Sequence, residues 1–150
     1  MLNVAVLDDY QNVTKKFGNW SELEGKINLK IFNKYFDDLN ELVKYLLDFD
    51  VLCLMRERTL LSSSIINKLP KLKLVITTGM WNPSVDTETL NKRKIIFCGT
   101  ENRIESTAEL SWLLTQVVWR NVSQEFVNMK NGDWQTSIGR TLYGKTLGIF

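Results

Sequence analysis

Five short apolar runs, each closed by polar or turn-forming residues, constrain this chain more than any other feature. They fall at residues 4–7, 27–31, 51–55, 72–77 and 95–98. All but the second are nearly continuous in apolar side chains, the pattern of a strand buried on both faces. The second alternates Ile27, Leu29 and Ile31 with Asn28, Lys30 and Phe32, which suits a strand nearer a sheet edge. Helical spacing fills the gaps. Residues 11–23 carry Val13, Phe17, Trp20 and Leu23 with an interruption at Gly18, and Asp38 stands where it can cap a helix holding Leu39, Leu42, Val43, Leu46 and Leu47. Residues 62–69 form a short helix with serines at its start and Pro70 behind it, and residues 85–91 make a helical turn or two. Alternation of this kind predicts a parallel α/β sheet covered on both faces, occupying residues 1–100.

A second organising stretch runs from Ser106 to the last residue. Ser106-Thr107-Ala108-Glu109 reads as a capping box, so a helix is expected to start there. Leu110, Trp112, Leu113, Leu114, Val117, Val118, Trp119, Val122, Phe126 and Met129 follow, and Asn131-Gly132 supplies a stop. The first half of this long helix is apolar almost all round, so it needs neighbours on more than one side. Residues 144–150, Gly-Lys-Thr-Leu-Gly-Ile-Phe, read as the opening of a buried strand.

Charge and residue usage remove several classes of function. Nineteen Lys and Arg against 17 Asp and Glu leave no strong field for nucleic acid, and the five tryptophans are not interleaved with basic residues. No apolar run reaches the roughly 18 residues of a membrane span. The start lacks a basic leader segment, and the expected compartment is the cytoplasm. Cys53 and Cys98 sit in apolar runs and read as core thiols. The chain has no histidine, which excludes Ser-His-Asp, Cys-His and His-based hydride chemistry from these residues alone.

In open parallel sheets ligands bind beyond the carboxyl ends of the strands. The third and fourth ends are the most informative. Thr78-Gly79, followed by a loop with free backbone N–H groups, can hold a carboxylate, and Arg56 one strand over is a cation able to pair with it bidentately. The alternative is that Arg56 only bridges Glu57, Asp50 or Asp86 and that Gly79 is only a turn. Asp8-Asp9 suggests the metal-binding acids of a response-regulator receiver. A receiver, however, needs an aspartate where Met55-Arg56 stand and a lysine where Cys98-Gly99 stand, so these acids read as solvated or capping groups. Trp81, in a loop at a strand end, is a candidate pocket wall.

Several motifs then follow in order: residues 72–79, Val85-Asp86, Ser106 to Trp112 with Arg120, Met129 to Gln135, and residues 144–149. The set resembles the amino-terminal half of the NAD-dependent D-isomer-specific 2-hydroxyacid dehydrogenases, which include D-3-phosphoglycerate dehydrogenase. The resemblance covers essentially the whole chain. It implies a flavodoxin-like, five-stranded parallel substrate domain over residues 1–100. Residues 101–150 would then be a long crossover helix and the first strand of a truncated Rossmann domain. It places substrate-carboxylate binding on Arg56, Thr78, Gly79, Met80, Trp81 and Asn82, and makes Thr107 a neighbour of the nicotinamide. It implies NAD or NADP in the intact enzyme and a small 2-oxo or 2-hydroxy acid as substrate. It also implies a homodimer through the helix at residues 108–129, with no nucleic-acid or membrane partner.

Two departures qualify that resemblance. Family members often carry a second glycine and an Asp in the carboxylate loop, whereas this chain reads Met80-Trp81-Asn82-Pro83-Ser84, where Pro83 lacks a donor and Trp81 adds bulk. The family's Gly-rich phosphate turn would follow residue 150, as would the Arg, Glu and His that bind substrate and pass the proton. The expectation is a chain cut short, without catalytic residues of its own, that neither binds the dinucleotide tightly nor transfers hydride. The competing expectation is a non-enzymatic flavodoxin-like module that binds a small anion or regulates.

Overall fold

The computed structural model describes residues 1–149 and divides into two compact units, one spanning Met1–Asn102 and the other beginning at Arg103. The first unit is a five-stranded parallel sheet of β1 (Leu2–Val6), β2 (Ile27–Ile31), β3 (Val51–Leu54), β4 (Leu74–Thr77) and β5 (Ile96–Gly99) in the order β2-β1-β3-β4-β5. This is the flavodoxin-like order, with the chain reversing direction across the sheet between β1 and β3. Every strand expected in this unit forms, and the alternating segment is indeed an edge.

The connecting helices are α1 (Thr14–Phe17), α2 (Leu39–Leu46), α3 (Ser63–Ile66) and α4 (Thr87–Lys92). Gly18 separates α1 from a 3-10 turn at Trp20–Leu23. Two aspartates cap as their positions require: Asp38 accepts the Asn40 N–H, and Asp86 accepts the Thr89 N–H. Helix α3 is one turn long, and Arg93 donates to the carbonyl of its last residue, Ile66, and at 3.0 Å to that of Leu69 beyond it.

The two sheet faces differ. Ala5, Leu7, Leu52, Leu54 and Val75 on one face pack with Leu42, Val43 and Leu46 of α2, Ile65 and Ile66 of α3, and Leu90 of α4 into one buried cluster. On the other face register brings Val6, Cys53, Ile76 and Cys98 into one row and Val4, Val51, Leu74 and Ile96 into the next. Burial on that face fades toward β5, where Ile96 is 65% exposed. The expectation of cover on both faces therefore holds only near β1. The cause is topological: right-handed crossovers send every connection that moves from β2 toward β5 to the same side. Cys98 is consequently exposed rather than a core thiol, while Cys53 is partly buried.

The second unit corrects three expectations. The long helix is two, α5 (Glu105–Trp119) and α6 (Val122–Lys130), interrupted at Asn121, whose φ of 54° is left-handed. Asn is among the few residues that tolerate that conformation, so it ends one helix and starts another. The capping box does not form: the N-cap is Ile104, without a side-chain cap, and Ser106 is already helical. The closing strand is not formed over residues 145–149, and residue 150 of that expected strand lies outside the described residues. A strand exists by virtue of a ladder, and this segment instead turns, Lys145 N–H donating to the Leu142 carbonyl. Leu142, Lys145, Thr146 and Leu147 line a cavity of about 160 Å³ with Trp112, Thr115 and Trp119. The Asn131-Gly132 stop does form, with Gly132 at φ 93°. Beyond it the chain is tied back by Glu125, whose carboxylate accepts the Thr136 N–H and the hydroxyls of Thr136 and Ser137, and by the Trp119 indole N–H on the Thr141 carbonyl.

Candidate functional site

The carboxyl ends of β3, β4 and β5 converge on Gly79. The Thr78 N–H continues the β3–β4 ladder to the Leu54 carbonyl at 3.0 Å, and the Thr78 hydroxyl accepts the Arg56 N–H at 3.0 Å. The next residue, Gly79, has φ 97°, a value that L side chains rarely adopt. A Cβ built there would overlap Nη1 of Arg56, so the guanidinium lies directly across this glycine. Arg56 itself has φ 56°. The two residues proposed from pattern as a carboxylate pair are thus brought together.

The competing reading of Arg56 is realised as well. Its Nε stands 3.7 Å from Glu57 Oε2, with side chains 50% and 40% exposed. Exposed pairs of this kind contribute about 0–1 kcal/mol, so Glu57 does not compete strongly with an incoming carboxylate. Asp50 is taken by Lys73 at 2.8 Å, and Asp86 by its helix cap.

Donors for an anion are supplied by the loop that follows. The Gly79 N–H is already given to the Thr100 hydroxyl at 3.0 Å. The N–H groups of Met80 and Trp81 have no acceptor among the described residues, and both side chains are exposed, 77% and 69%. Trp81 does not line the adjacent cavity of about 250 Å³, which is formed by Met80, Gly99, Thr100 and Glu101. Asn82 is turned inward and almost fully buried. Its amide is spent on the Arg56 carbonyl, Thr77 Oγ1 and the Ser84 N–H. Thr107 lies in the first turn of α5 in the other unit, exposed, its carbonyl accepting the Ser111 hydroxyl at 2.7 Å.

The end of β1 supports the loop that carries Arg56. Asp8 and Asp9 are buried, not solvated. Asp8 accepts the hydroxyls of Thr59 and Tyr10, and its carbonyl accepts Arg58 Nη1 at 2.7 Å, with the guanidinium 4.7 Å from the Tyr10 ring centroid. Arg58 is therefore occupied, whereas the Arg56 guanidinium has only the half-exposed Glu57 as a partner among the described residues. Asp9 caps the start of α1 through the N–H groups of Val13 and Thr14. Burial pushes its carboxyl up, but those two N–H donors, the Thr14 hydroxyl and the Arg58 charge together outweigh it and hold the pKa below the ordinary value. Among the described residues no group of three His, Cys, Asp or Glu side chains is placed to hold a metal. No described helix is long and apolar enough to cross a membrane.

Thr100 is the residue that sequence reasoning left out of the site. It stands at the fifth strand end, a place that already predicts ligand contact, yet nothing in the one-dimensional pattern shows that its hydroxyl meets Gly79. Gly99 carries the clearer signal in hindsight. A Cβ there would collide with the Gly79 and Met80 carbonyls, so the absent side chain permits the close approach of β5 to the loop.

Residues 4–137 match the family model for the catalytic domain of D-isomer specific 2-hydroxyacid dehydrogenase. D-3-phosphoglycerate dehydrogenase of Bacillus subtilis is 32% identical over 104 residues, 67% of this chain and 20% of that protein. The human D-3-phosphoglycerate dehydrogenase is 32% identical over 124 residues, 81% of this chain and 23% of that protein. The chain thus spans about a fifth of the length of these curated relatives. A solved phosphoglycerate oxidoreductase from Vibrio cholerae superposes with a TM-score of 0.89 at 31% identity, covering 97% of this chain and 47% of that one. A D-lactate dehydrogenase of Aquifex aeolicus, solved with NAD and lactic acid, shares the fold at TM-score 0.64 and 18% identity over 93% of this chain and 41% of that one.

Proposed function

The chain belongs to the D-isomer specific 2-hydroxyacid dehydrogenases, and from that premise we propose that residues 1–102 hold the carboxylate of a small 2-oxo or 2-hydroxy acid. The observation that carries this reading is the Arg56 guanidinium lying across Gly79, the residue that precedes the Met80 and Trp81 N–H groups, which have no acceptor among the described residues. A guanidinium and two consecutive backbone donors suit a planar anion, the cation supplying charge and the amides direction. Within the site Thr78 holds the Arg56 N–H, Gly79 makes room, and Met80 and Trp81 offer donors.

The reaction we assign to the parent enzyme is interconversion of a D-2-hydroxy acid and a 2-oxo acid with NAD or NADP. The dinucleotide is not assigned to these residues. A pyrophosphate is held by a Gly-rich turn between a strand and a helix N-terminus. No G-x-G-x-x-G stands in the 150 residues, and residues 145–149 pair with no strand. Thr107 is proposed as the nicotinamide neighbour in the intact enzyme, and residues 103–150 as the approach to its nucleotide domain. The chain by itself is proposed to be inactive and to work in the cytoplasm.

Assembly follows from the second unit. Leu110, Trp112, Leu113, Leu114 and Val118 of α5 and Phe126 and Met129 of α6 are exposed. Exposed apolar side chains of this size drive association when they cluster, so a homodimer through residues 108–129 is proposed, and a monomeric mass by light scattering contradicts it. The carboxylate reading is tested by thermal shift. Glyoxylate, pyruvate or hydroxypyruvate should stabilise the chain, and Arg56→Ala should require a markedly higher ligand concentration for the same shift. Stabilisation by inorganic phosphate alone indicates instead an anion-binding module. Incubation with NADH and the same 2-oxo acids should show no turnover, and steady NADH consumption contradicts the assignment of catalysis to residues outside this chain.

A further inference from the structure

Asn82 is 1% exposed although Met80 and Trp81, its neighbours in the loop, are exposed. Its Nδ2 donates to the Arg56 carbonyl at 2.8 Å and to Thr77 Oγ1 at 2.9 Å, and its Oδ1 accepts the Ser84 N–H at 2.9 Å. Both amide hydrogens are therefore used inside the protein, and none is left for a ligand. The beneficiary is Arg56, whose φ of 56° is in the left-handed region where a residue with a Cβ is seldom found. Such a conformation persists only where its surroundings over-determine it. Here the end of β4 does so from both sides, Thr78 Oγ1 accepting the Arg56 N–H and Asn82 donating to the Arg56 carbonyl. The backbone state of Arg56 fixes the direction of its Cα–Cβ bond, and hence whether its guanidinium can reach across Gly79.

We propose that Asn82 is a positioning residue: by gripping the Arg56 carbonyl it locks Arg56 in the left-handed conformation that lays its guanidinium across Gly79, and so sets carboxylate affinity without touching the carboxylate. The proposal rests on the carboxylate reading of this site. It replaces the expectation that Asn82 contacts substrate with a role exerted through Arg56.

The test is a double-mutant cycle on the full 150-residue chain, with glyoxylate as the probe and NMR titration as the readout. Arg56→Ala should weaken binding about tenfold, the loss of one charge-assisted contact. Asn82→Ala should weaken it by a similar factor, and the double variant should bind no more weakly than Arg56→Ala, because two changes acting through one group do not add. The Cα shift and HN–Hα coupling of Arg56, which report φ, should leave their left-handed values in Asn82→Ala. Losses that multiply, to about a hundredfold in the double variant, overturn the proposal. So does a left-handed Arg56 signature that survives Asn82→Ala. If the wild-type chain binds no glyoxylate, the carboxylate reading falls and the affinity claim with it. That failure is told apart by the Arg56 signature, which is read without ligand. Should Asn82→Ala not fold, Asn82→Asp keeps an acceptor for the Ser84 N–H while removing donors, and the same cycle decides the question on that variant.

Discussion

The Thr100 hydroxyl accepts the Gly79 N–H at 3.0 Å while the Thr100 N–H donates to the Gly79 carbonyl at 3.1 Å, so one residue holds both backbone polar groups of the glycine under Arg56. The clamp ties the end of β5 to the end of β4. It also moves the free donors one step along the chain, to Met80 and Trp81. Thr100→Val keeps the shape and removes the acceptor. The Gly79 amide should then exchange faster with solvent and the chain should lose about 1 kcal/mol of stability. Unchanged exchange at Gly79 contradicts the clamp.

Gly79→Ala combines two penalties. The residue sits at φ 97°, and the new methyl overlaps Arg56 Nη1. The backbone term alone costs on the order of 1–3 kcal/mol, and the displaced guanidinium removes the cation from the loop. Chemical denaturation should show the lower stability, and glyoxylate binding should fall to the level of Arg56→Ala. Retained binding contradicts the placement of the guanidinium.

Stability against pH has a direction fixed by two aspartates. The Lys73 ammonium, hydrogen-bonded at 2.8 Å, and the Asn3 N–H at 2.9 Å hold the Asp50 carboxyl below the ordinary 3.8. Burial raises Asp9, but the Val13 and Thr14 N–H groups, the Thr14 hydroxyl and the Arg58 charge together hold it down. Both carboxyls bind protons more weakly folded than unfolded. Their stabilisation is complete above the unfolded value and is lost as pH falls through the folded one. With no histidine in the chain, no side chain with an ordinary pKa near 6.5 adds a second transition. The urea midpoint should stay flat from about pH 7 to about pH 5 and fall below about pH 4. Asp50→Asn should reduce that fall. A drop centred between about pH 5 and pH 7 contradicts the assignment.

The cysteines should differ in reactivity. Burial, and secondarily the nearby Cys98, pushes the Cys53 thiol up to about 11, whereas Cys98 is exposed on β5. A thiol reagent at neutral pH should modify Cys98 first and reach Cys53 only on unfolding, since the thiolate is the reactive form. Cys98→Ser should remove the fast phase. Two equally fast thiols contradict the uneven cover of the sheet.

Much of the first unit was legible in the sequence because its signals are local. Continuous runs such as residues 51–55 give buried strands, the alternation around Asn28 and Lys30 gives an edge, and Asp38 caps as its position alone suggests. The misses arise where a local signal depends on distant partners. The Ser106 box lost to a helix that begins earlier, at Glu105. Residues 145–149 have strand composition but no ladder to join. Cys98 lies in an apolar run like Cys53, and only the handedness of the crossovers leaves its side of β5 uncovered. At the site, Arg56 and Gly79 could be paired because both stand at strand ends. The inward turn of Asn82 could not be read, since nothing in Trp81-Asn82-Pro83 shows that its amide reaches back to the Arg56 carbonyl.

The most direct test of the carboxylate site is an amide-resolved NMR titration of the 150-residue chain with glyoxylate. Binding at the loop should shift the Met80 and Trp81 amides and the Arg56 Nε–H together along one saturation curve, and Arg56→Ala should move the midpoint of the amide shifts to about tenfold higher glyoxylate. No shift at these three groups, or shifts confined to the second unit, contradicts the carboxylate site.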